Sequence, residues 1–184
     1  TYHSWVFALD LEKMVSPTAV RSIYEEFGRS EPLPAIYKAI GGFRKRFKEF
    51  AKFGWNRDPV ASPGFLGWDG IAARPYDDTG EKTREYTPAP LELGGAKRRT
   101  TEAPIAINRL GRQYHWFNVP DDKLREIRFT NPRPGDQDFG VQAILTVGGQ
   151  ARVEDWTGRK SVTLCRDKAG ENVSDVVLVF YNAH

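Results

Sequence analysis

The chain has 184 residues, of which 40% are hydrophobic, 12% aromatic and 28% charged, so it can bury a sizeable core. Its 27 basic and 24 acidic residues leave a net charge of +3, a balance that gives no reason to expect a nucleic-acid-binding protein. No apolar run approaches the roughly 20 residues that a membrane span requires. The single cysteine, Cys165, excludes an internal disulfide and any zinc cluster built on cysteines.

The first third of the chain is predicted to form four short helices. The first covers residues 2–14, the second follows Pro17, the third covers 34–40 and the fourth covers 43–53. Helices of this length need tertiary packing to persist, so we expect their apolar sides to lie in a core.

The second helix has the clearest boundaries. Ser16 is predicted to be its N-cap, Pro17 suits the first turn, and Gly28 suits a left-handed stop. Its core-facing side is predicted to consist of Val20, Ile23, Tyr24 and Phe27.

The fourth helix carries a stripe of phenylalanines at helical spacing, and basic residues cover much of its remaining surface. The stripe consists of Phe43, Phe47, Phe50 and Phe53. We expect Phe47 and Phe50 to be buried in a core, with the cations facing solvent. The alternative is a basic amphipathic helix that lies on a membrane surface or binds an acidic partner.

Residues 59–110 are predicted to form an extended connection. Glycine, proline, threonine and charged residues dominate there, and regular periodicity disappears. We expect Phe65, Trp68 and Tyr86 to be its anchors. Because a long irregular segment inside one compact domain is unusual, the connection is expected to straddle a domain boundary.

The last part of the chain is predicted to be all-β. Short strand patterns with turn residues between them occur at 104–108, 112–119, 124–130, 141–147, 151–154, 161–165 and 175–181. Seven short strands at this spacing are typical of a sandwich or a jelly-roll-like module. Val176–Phe180 is apolar on both faces, so we expect a central strand there, with Val141–Val147 as a neighbour.

These patterns predict an α+β fold, in which an N-terminal helical segment precedes an all-β, jelly-roll-like sandwich. The predicted division is a helical segment over 1–58, the connection over 59–110 and a β-sandwich domain over 111–184. The β patterns supply both faces of a sandwich, and few of their apolar positions demand a partner from residues 1–60. Residues 112–184 are therefore expected to fold alone.

The sequence contains none of the common catalytic motifs. It has no His-Glu-x-x-His, no phosphate-binding glycine loop, no Gly-x-Ser-x-Gly and no dinucleotide-binding fingerprint. Its three histidines, His3, His115 and His184, lack metal-ligand spacing. The sequence therefore predicts no catalytic residue and no cofactor site beyond the calcium candidates below.

Aromatic residues in the β region suggest a saccharide-binding surface. Tyr114 and Trp116 alternate along a predicted strand, and Trp156 follows two acidic residues. An exposed ring at such a position could stack on a sugar. The alternative is that these rings belong to the sandwich core.

Acidic residues cluster in the predicted loops. Asp121, Asp122, Asp136, Asp138 and Asp155 could offer oxygens to a calcium ion, although their spacing matches no defined calcium-binding loop. The alternative is that they are solvated turn residues.

Four helical segments follow one another in a suggestive order. They are Tyr2-His-Ser-Trp-Val-Phe-Ala-Leu9, Val20-Arg-Ser-Ile-Tyr-Glu-Glu-Phe27, Pro34-Ala-Ile-Tyr-Lys-Ala-Ile40 and Phe47-Lys-Glu-Phe-Ala-Lys-Phe-Gly-Trp-Asn56. Over residues 1–58 this order resembles the helical tail of gluzincin-type zinc metallopeptidases, in which such helices follow the metal-binding helices and β-sandwich modules often come after.

The resemblance implies zinc only in an upstream part, because the zinc ligands and catalytic glutamate of the family have no counterpart in this sequence. No catalytic residue is carried over. The helical pattern begins at the first residues without a methionine or a signal-like segment, so we expect an upstream part. The C-terminal strands look like β-modules appended to secreted hydrolases, which implies an extracellular or cell-surface location.

Three functions are compatible with these patterns. The leading one is a non-catalytic C-terminal region of a secreted or surface peptidase-like protein, which serves stability, attachment or substrate contact and binds the upstream part or other protein chains. The second is a structural subunit that assembles with copies of itself outside the cell. The third is a carbohydrate-binding β-sandwich whose ligand is a polysaccharide.

Overall fold

Four short helices precede the β strands of this chain. The computed structural model describes residues 3–55, 91–92, 105, 107–119 and 124–184. Its helices are α1 (His3–Met14), α2 (Ala19–Phe27), α3 (Pro32–Ala39) and α4 (Phe43–Phe53). Its strands are β1 (Leu91–Glu92), β2 (Gly111–Asn118), β3 (Glu126–Thr130), β4 (Phe139–Val147), β5 (Gln150–Asp155), β6 (Ser161–Cys165) and β7 (Val173–Asn182). The predicted fold class, α+β with helices first and a sandwich-like β region after them, is confirmed.

The strands form a larger sheet with β7 at its centre and a separate two-stranded sheet. The larger sheet has the order β1-β2-β7-β4-β5, in which β1 and β2 are parallel and the other neighbours are antiparallel. The smaller is an antiparallel ribbon of β3 and β6. β7 pairs with β2 on one side and with β4 on the other, which confirms that Val176–Phe180 lies in a central strand beside Val141–Val147.

One face of the larger sheet packs against the β3–β6 ribbon. Because side chains alternate along a strand, every second residue of β4 and β7 reaches this face. The Phe129 ring on β3 lies 5.6 Å from the Trp156 ring and 6.1 Å from the Phe180 ring. The buried residues of this core are Phe139, Val141, Ala143, Leu145, Trp156, Leu164, Val173, Val176, Leu178 and Phe180.

The opposite face of the larger sheet packs against α4. Phe47 is 2% exposed and Phe50 is 5% exposed, so the prediction that both are buried is confirmed. The buried residues of this second core are Phe43, Phe47, Phe50, Ala51, Trp55, Tyr114, Ile144, Val177, Val179, Tyr181 and Ala183. The phenylalanine stripe of α4 therefore faces the sheet.

The helices and the sheet share this second core, which corrects one premise of the sequence analysis. Few apolar positions of the β region were expected to demand a partner from residues 1–60, yet Val177 and Val179 of β7 lie in one core with the rings of α4. The ribbon covers only the other face. The division at 1–58, 59–110 and 111–184 remains a prediction.

The apolar side of α2 differs from the predicted one. Ala19 and Ile23 are buried in a third cluster with Leu11 and Ile40. Tyr24 and Phe27 were predicted to share that core face, but Tyr24 is 68% exposed and Phe27 is 38% exposed. The helix is anchored through the neighbouring face instead.

Both predicted boundaries of α2 also need correction. The N-cap is Thr18, and Ser16 lies two residues before it, where its Oγ accepts a hydrogen bond from the Thr18 N–H at 3.2 Å. Gly28 follows the helix with φ of −71°, so it continues the right-handed conformation and makes no left-handed stop. Left-handed glycine geometry occurs at Gly42, with φ of 74°, directly before α4.

Several predicted features fall outside the described residues. These include the anchors Phe65, Trp68 and Tyr86 and most of the connection, although β1 lies within its span. Of the strand predicted at 104–108, Ile105, Ile107 and Asn108 are described and are not in a strand. In the part of the chain that is described, no helix combines the length and apolar character needed to cross a membrane.

Candidate functional site

Two ion pairs lie at the junction between α4 and the sheet. Arg44 and Lys48 lie four residues apart on α4, so they project from the same side of the helix. Arg44 Nε donates to Asp138 Oδ1 at 2.6 Å, and Lys48 Nζ donates to Asp155 Oδ2. Asp138 directly precedes β4 and Asp155 ends β5, so the two ion pairs fasten α4 to both strands.

The Asp138 end of this junction also holds the end of β7. The Tyr37 hydroxyl donates to the Ala183 carbonyl at 2.7 Å and lies 3.4 Å from Asp138 Oδ1. His184 Nδ1 lies 3.6 Å from Asp138 Oδ2. Burial, followed by the charge of Asp138, raises the pKa of Tyr37 above its ordinary value, so this hydroxyl stays protonated and serves as a donor.

At the other end, Asp155 belongs to a hydrogen-bonded group at the edge of the sheet. Its Oδ1 accepts from the Thr157 N–H at 3.0 Å, and Thr157 Oγ1 lies 3.4 Å from the Tyr181 hydroxyl. Burial alone would raise the pKa of Asp155, but the hydrogen bonds from Lys48 and Thr157 and the charge of Lys48 outweigh it and lower the pKa. Asp155 is therefore ionised at neutral pH.

A third charged contact lies within the helical layer. Asp10 of α1 is 0% exposed, and its carboxylate is held by Arg46 of α4, whose Nε donates to Oδ2 at 2.7 Å. Burial raises the pKa of Asp10 in spite of the hydrogen bond and charge of Arg46. Because this carboxylate has no exposed surface, it cannot meet a substrate in this conformation.

Two of the three predicted saccharide-stacking residues lie in the core. Tyr114 is 8% exposed and its hydroxyl donates to the Ala51 carbonyl at 2.8 Å, while burial raises its pKa to about 12. Trp156 is 1% exposed and its Nε1 donates to Glu154 Oε2 at 3.0 Å. Neither ring presents a face to solvent, which agrees with the alternative that they are core residues.

Trp116 is the third of these residues, and it is half-buried at the end of β2. Its Nε1 donates to Asp175 Oδ1 at 3.1 Å, and Asn118 Nδ2 donates to the same oxygen at 3.0 Å. Ser174 Oγ donates to the other carboxylate oxygen at 3.0 Å. The antiparallel register explains this grouping, because Asn118 is directly opposite Asp175. The Trp55 ring lies edge-on to Trp116 at 5.9 Å.

Three of the calcium candidates, Asp136, Asp138 and Asp155, are among the described residues, and each is held by other contacts. Asp121 and Asp122 lie outside the described residues. Asp136 Oδ1 accepts from the backbone N–H groups of Asp138 and Phe139 at 2.9 and 3.2 Å, while Asp138 and Asp155 face the cations of α4. Among the residues described, no group of three or more His, Cys, Asp or Glu side chains could hold a metal ion.

His115 is a half-buried polar residue on the ribbon side of β2. Its ring lies 5.5 Å from the Phe180 ring, and its Nε2 is buried without a hydrogen-bond partner in the described structure. Burial lowers the pKa of His115, so the neutral imidazole is the stable form in the fold. The side chain of His3 is not among those described.

Sequence reasoning missed Asp10, Arg46 and Asp175. Asp10 and Arg46 are on different helices, and no local motif marks a pair at that separation. Asp175 was included in a predicted strand without a role, although strand pairing between 112–119 and 175–181 would have brought it near Asn118.

Comparison of the chain with protein-family models, with curated proteins and with solved structures finds no match.

Proposed function

We propose that this chain is a non-catalytic accessory region of a larger secreted or cell-surface protein related to the zinc metallopeptidases. In this proposal the helices brace the β layers, and the β layers serve stability, attachment or substrate contact. The observation that carries the proposal is that acidic side chains form ion pairs that join secondary-structure elements. Asp138 and Asp155 join the sheet to α4, and Asp10 joins α1 to α4.

These carboxylates are poorly suited to acid–base catalysis. A general acid must hold a proton near the working pH, but the pKa of Asp155 is lowered by Lys48 and Thr157 against the effect of burial. The pKa of Asp10 is raised, yet its side chain is fully buried and paired with Arg46. Each group is thus accounted for by a contact that joins two elements.

The non-catalytic assignment is tested with a purified, tag-free preparation of the chain. We expect no hydrolysis of quenched-fluorescence peptides above the buffer rate and less than stoichiometric zinc, because the sequence offers no set of zinc ligands. A thermolysin-type enzyme serves as the positive control. Hydrolysis that co-purifies with the folded chain and is abolished by a zinc chelator would overturn the assignment.

The relation to metallopeptidases is tested separately by the reading frame that encodes the chain. We expect a peptidase-like part upstream of Thr1, with or without an intact His-Glu-x-x-His motif. A complete reading frame that lacks such a part would refute this relation and leave the accessory role to be judged from the biochemical test.

A second candidate function is saccharide binding at the Trp116 end of the sheet. A half-buried indole beside an Asp, an Asn and a Ser combines an apolar surface with several groups able to bond sugar hydroxyls. The group is held in place by the three hydrogen bonds to Asp175, so it needs little rearrangement to bind.

Saccharide binding is tested by retention of the chain on insoluble cellulose, chitin and peptidoglycan. If this candidate is right, retention on one polymer falls at least about tenfold for Asn118→Ala, because one good polar contact corresponds to roughly that factor. Asn108→Ala, which changes an exposed Asn before β2, is the matched control. Absence of retention on all three polymers, or equal loss in both variants, would eliminate saccharide binding at this group.

A further inference from the structure

α2 exposes an aromatic pair that its own fold leaves uncovered. Tyr24 is 68% exposed and Phe27 is 38% exposed, and their rings lie 5.4 Å apart in an edge-on arrangement. Isolated exposed apolar residues are ordinary, but two adjacent aromatic rings on one helix make a contact surface. Ala19 and Ile23 anchor the neighbouring side of the helix in the core, so the aromatic pair is held at the surface.

Charges of both signs lie beside the aromatic pair. Successive residues of a helix are about 100° apart, so Val20, Tyr24 and Phe27 form one stripe and Arg21 and Glu25 form a second stripe next to it. The side chains of Arg21 and Glu25 are 79% and 58% exposed, and Arg21 Nε donates to Glu25 Oε1 at 2.8 Å. The surface therefore carries one positive and one negative group along the helix direction.

This arrangement is complementary to a copy of itself. When two identical helices meet antiparallel about a twofold axis, each stripe faces the same stripe of the other copy, running in the opposite direction. Along the helix, the point midway between Arg21 and Glu25 lies at residue 23. The point midway between Val20 and Phe27 lies between residues 23 and 24, almost at the same height. One axis near Tyr24 therefore places each Arg21 opposite a Glu25 and each Val20 opposite a Phe27.

We infer that the exposed face of α2 is a self-association surface, on which two copies of this chain pair through antiparallel α2 helices. The occupant is a second copy, because both the aromatic stripe and the charged stripe match their own reverse. A single helix of nine residues per copy makes a small interface, so the dimer is weak and depends on concentration. This inference does not rest on the proposed accessory function.

The test is sedimentation equilibrium over a concentration series from about 10 µM to about 1 mM, the range of a weak interface. We expect a monomer–dimer equilibrium for the unchanged chain. Arg21→Glu and Glu25→Arg should each weaken self-association at least about tenfold, because each places like charges opposite each other across the axis. Lys45→Glu makes the same change of charge as Arg21→Glu at an exposed position of α4 and should leave association unchanged.

The decisive measurement mixes the two single variants. A chain with Arg21→Glu and a chain with Glu25→Arg regain opposite charges across the interface, so the mixture should form a heterodimer about as strong as the original homodimer. Each variant keeps its own intrachain repulsion in the mixture, so recovery cannot come from repair of the helix itself. Far-UV circular dichroism verifies that each variant is folded.

Three results would overturn the inference. They are a monomer at every concentration, a dimer that neither charge variant weakens, and a mixture that associates no better than its components. Tyr24→Ser provides an independent check, since it leaves the charges intact and should abolish the dimer by removing the aromatic centre.

Discussion

Truncation of Phe47 to alanine should be among the most destabilising single changes in this chain. The ring is 2% exposed and lies between the helices and the sheet, with centroids 5.5 Å from Phe7, 5.8 Å from Phe43 and 6.5 Å from Tyr181. A buried Phe→Ala change costs about 3–5 kcal/mol, and the cost is higher where the surroundings cannot collapse into the cavity.

The ion pairs of α4 limit how far the helix can collapse after this change. Arg44 precedes Phe47 and Lys48 follows it in the helix, and both are paired with carboxylates beside the sheet, so α4 cannot easily move to fill the space. We therefore expect a loss of about 4 kcal/mol in the free energy of unfolding. With a urea m-value of about 2 kcal/mol/M, the unfolding midpoint should fall by about 2 M.

The assay is urea unfolding followed by tryptophan fluorescence, at a concentration where the chain is monomeric. Phe27→Ala is the matched control, because the same atoms are removed from a ring that is 38% exposed, and we expect it to cost less than about 1 kcal/mol. If Phe47→Ala does not fold, Phe47→Leu should still fold and lose about 1.5 kcal/mol. A midpoint shift for Phe47→Ala no larger than that for Phe27→Ala would refute the shared core.

Three further predictions concern other parts of the fold. Burial lowers the pKa of His115 in the folded state, so the neutral ring contributes its full stability above the unfolded pKa of about 6.5. This contribution is lost as pH falls through the folded pKa. The thermal unfolding midpoint should therefore drop on acidification below pH 6.5, and it should drop less steeply in His115→Gln. Equal slopes in the two proteins would contradict this. Gly140→Ala should cost about 1–3 kcal/mol in urea unfolding, since a Cβ there would overlap the Tyr181 ring, whereas Gly135→Ala, with open space around it, should cost nothing measurable. The isolated segment 112–184 should show faster amide exchange across β7 than the full chain, because its helix-facing side would meet water; equally slow exchange would support the autonomous domain that the sequence predicts.

The sequence predicted best those elements whose apolar positions recur regularly. The phenylalanines of α4 recur at one helical spacing among cations, so the helix and its buried face were both predictable. β7 is apolar at consecutive positions, as is typical of a strand covered on both sides.

The buried face of α2 was not predictable in the same way. Ala19 and Ile23 form one apolar side and Val20, Tyr24 and Phe27 form another, so periodicity alone could not decide which side meets the core. The choice is made by contacts with Leu11 and Ile40 on other elements.

The candidate site was the least predictable part of the molecule. Asp138 and Asp155 were identified as loop carboxylates, but their partners are cations of α4 about a hundred positions away in sequence, as the ion pairs show. Trp116 and Tyr114 lie two residues apart on the same face of β2, yet Trp116 reaches Asp175 while Tyr114 is enclosed. Such distinctions depend on strand register, which no local motif encodes.

The central position of β7 has a consequence for the order of folding. β2 and β4 are not neighbours in the larger sheet and are joined only through β7, which is the last of the described strands in the chain. A chain emerging from the ribosome can form the β4–β5 hairpin early, but it cannot connect β2 to that hairpin before β7 is available. Pairing Gly111 with Asn182 closes a loop across nearly the whole β region, and long-range pairing of this kind slows folding. Until that step, β2 and β4 both expose apolar edges, so the interval before β7 docks is when the nascent chain is most prone to aggregation.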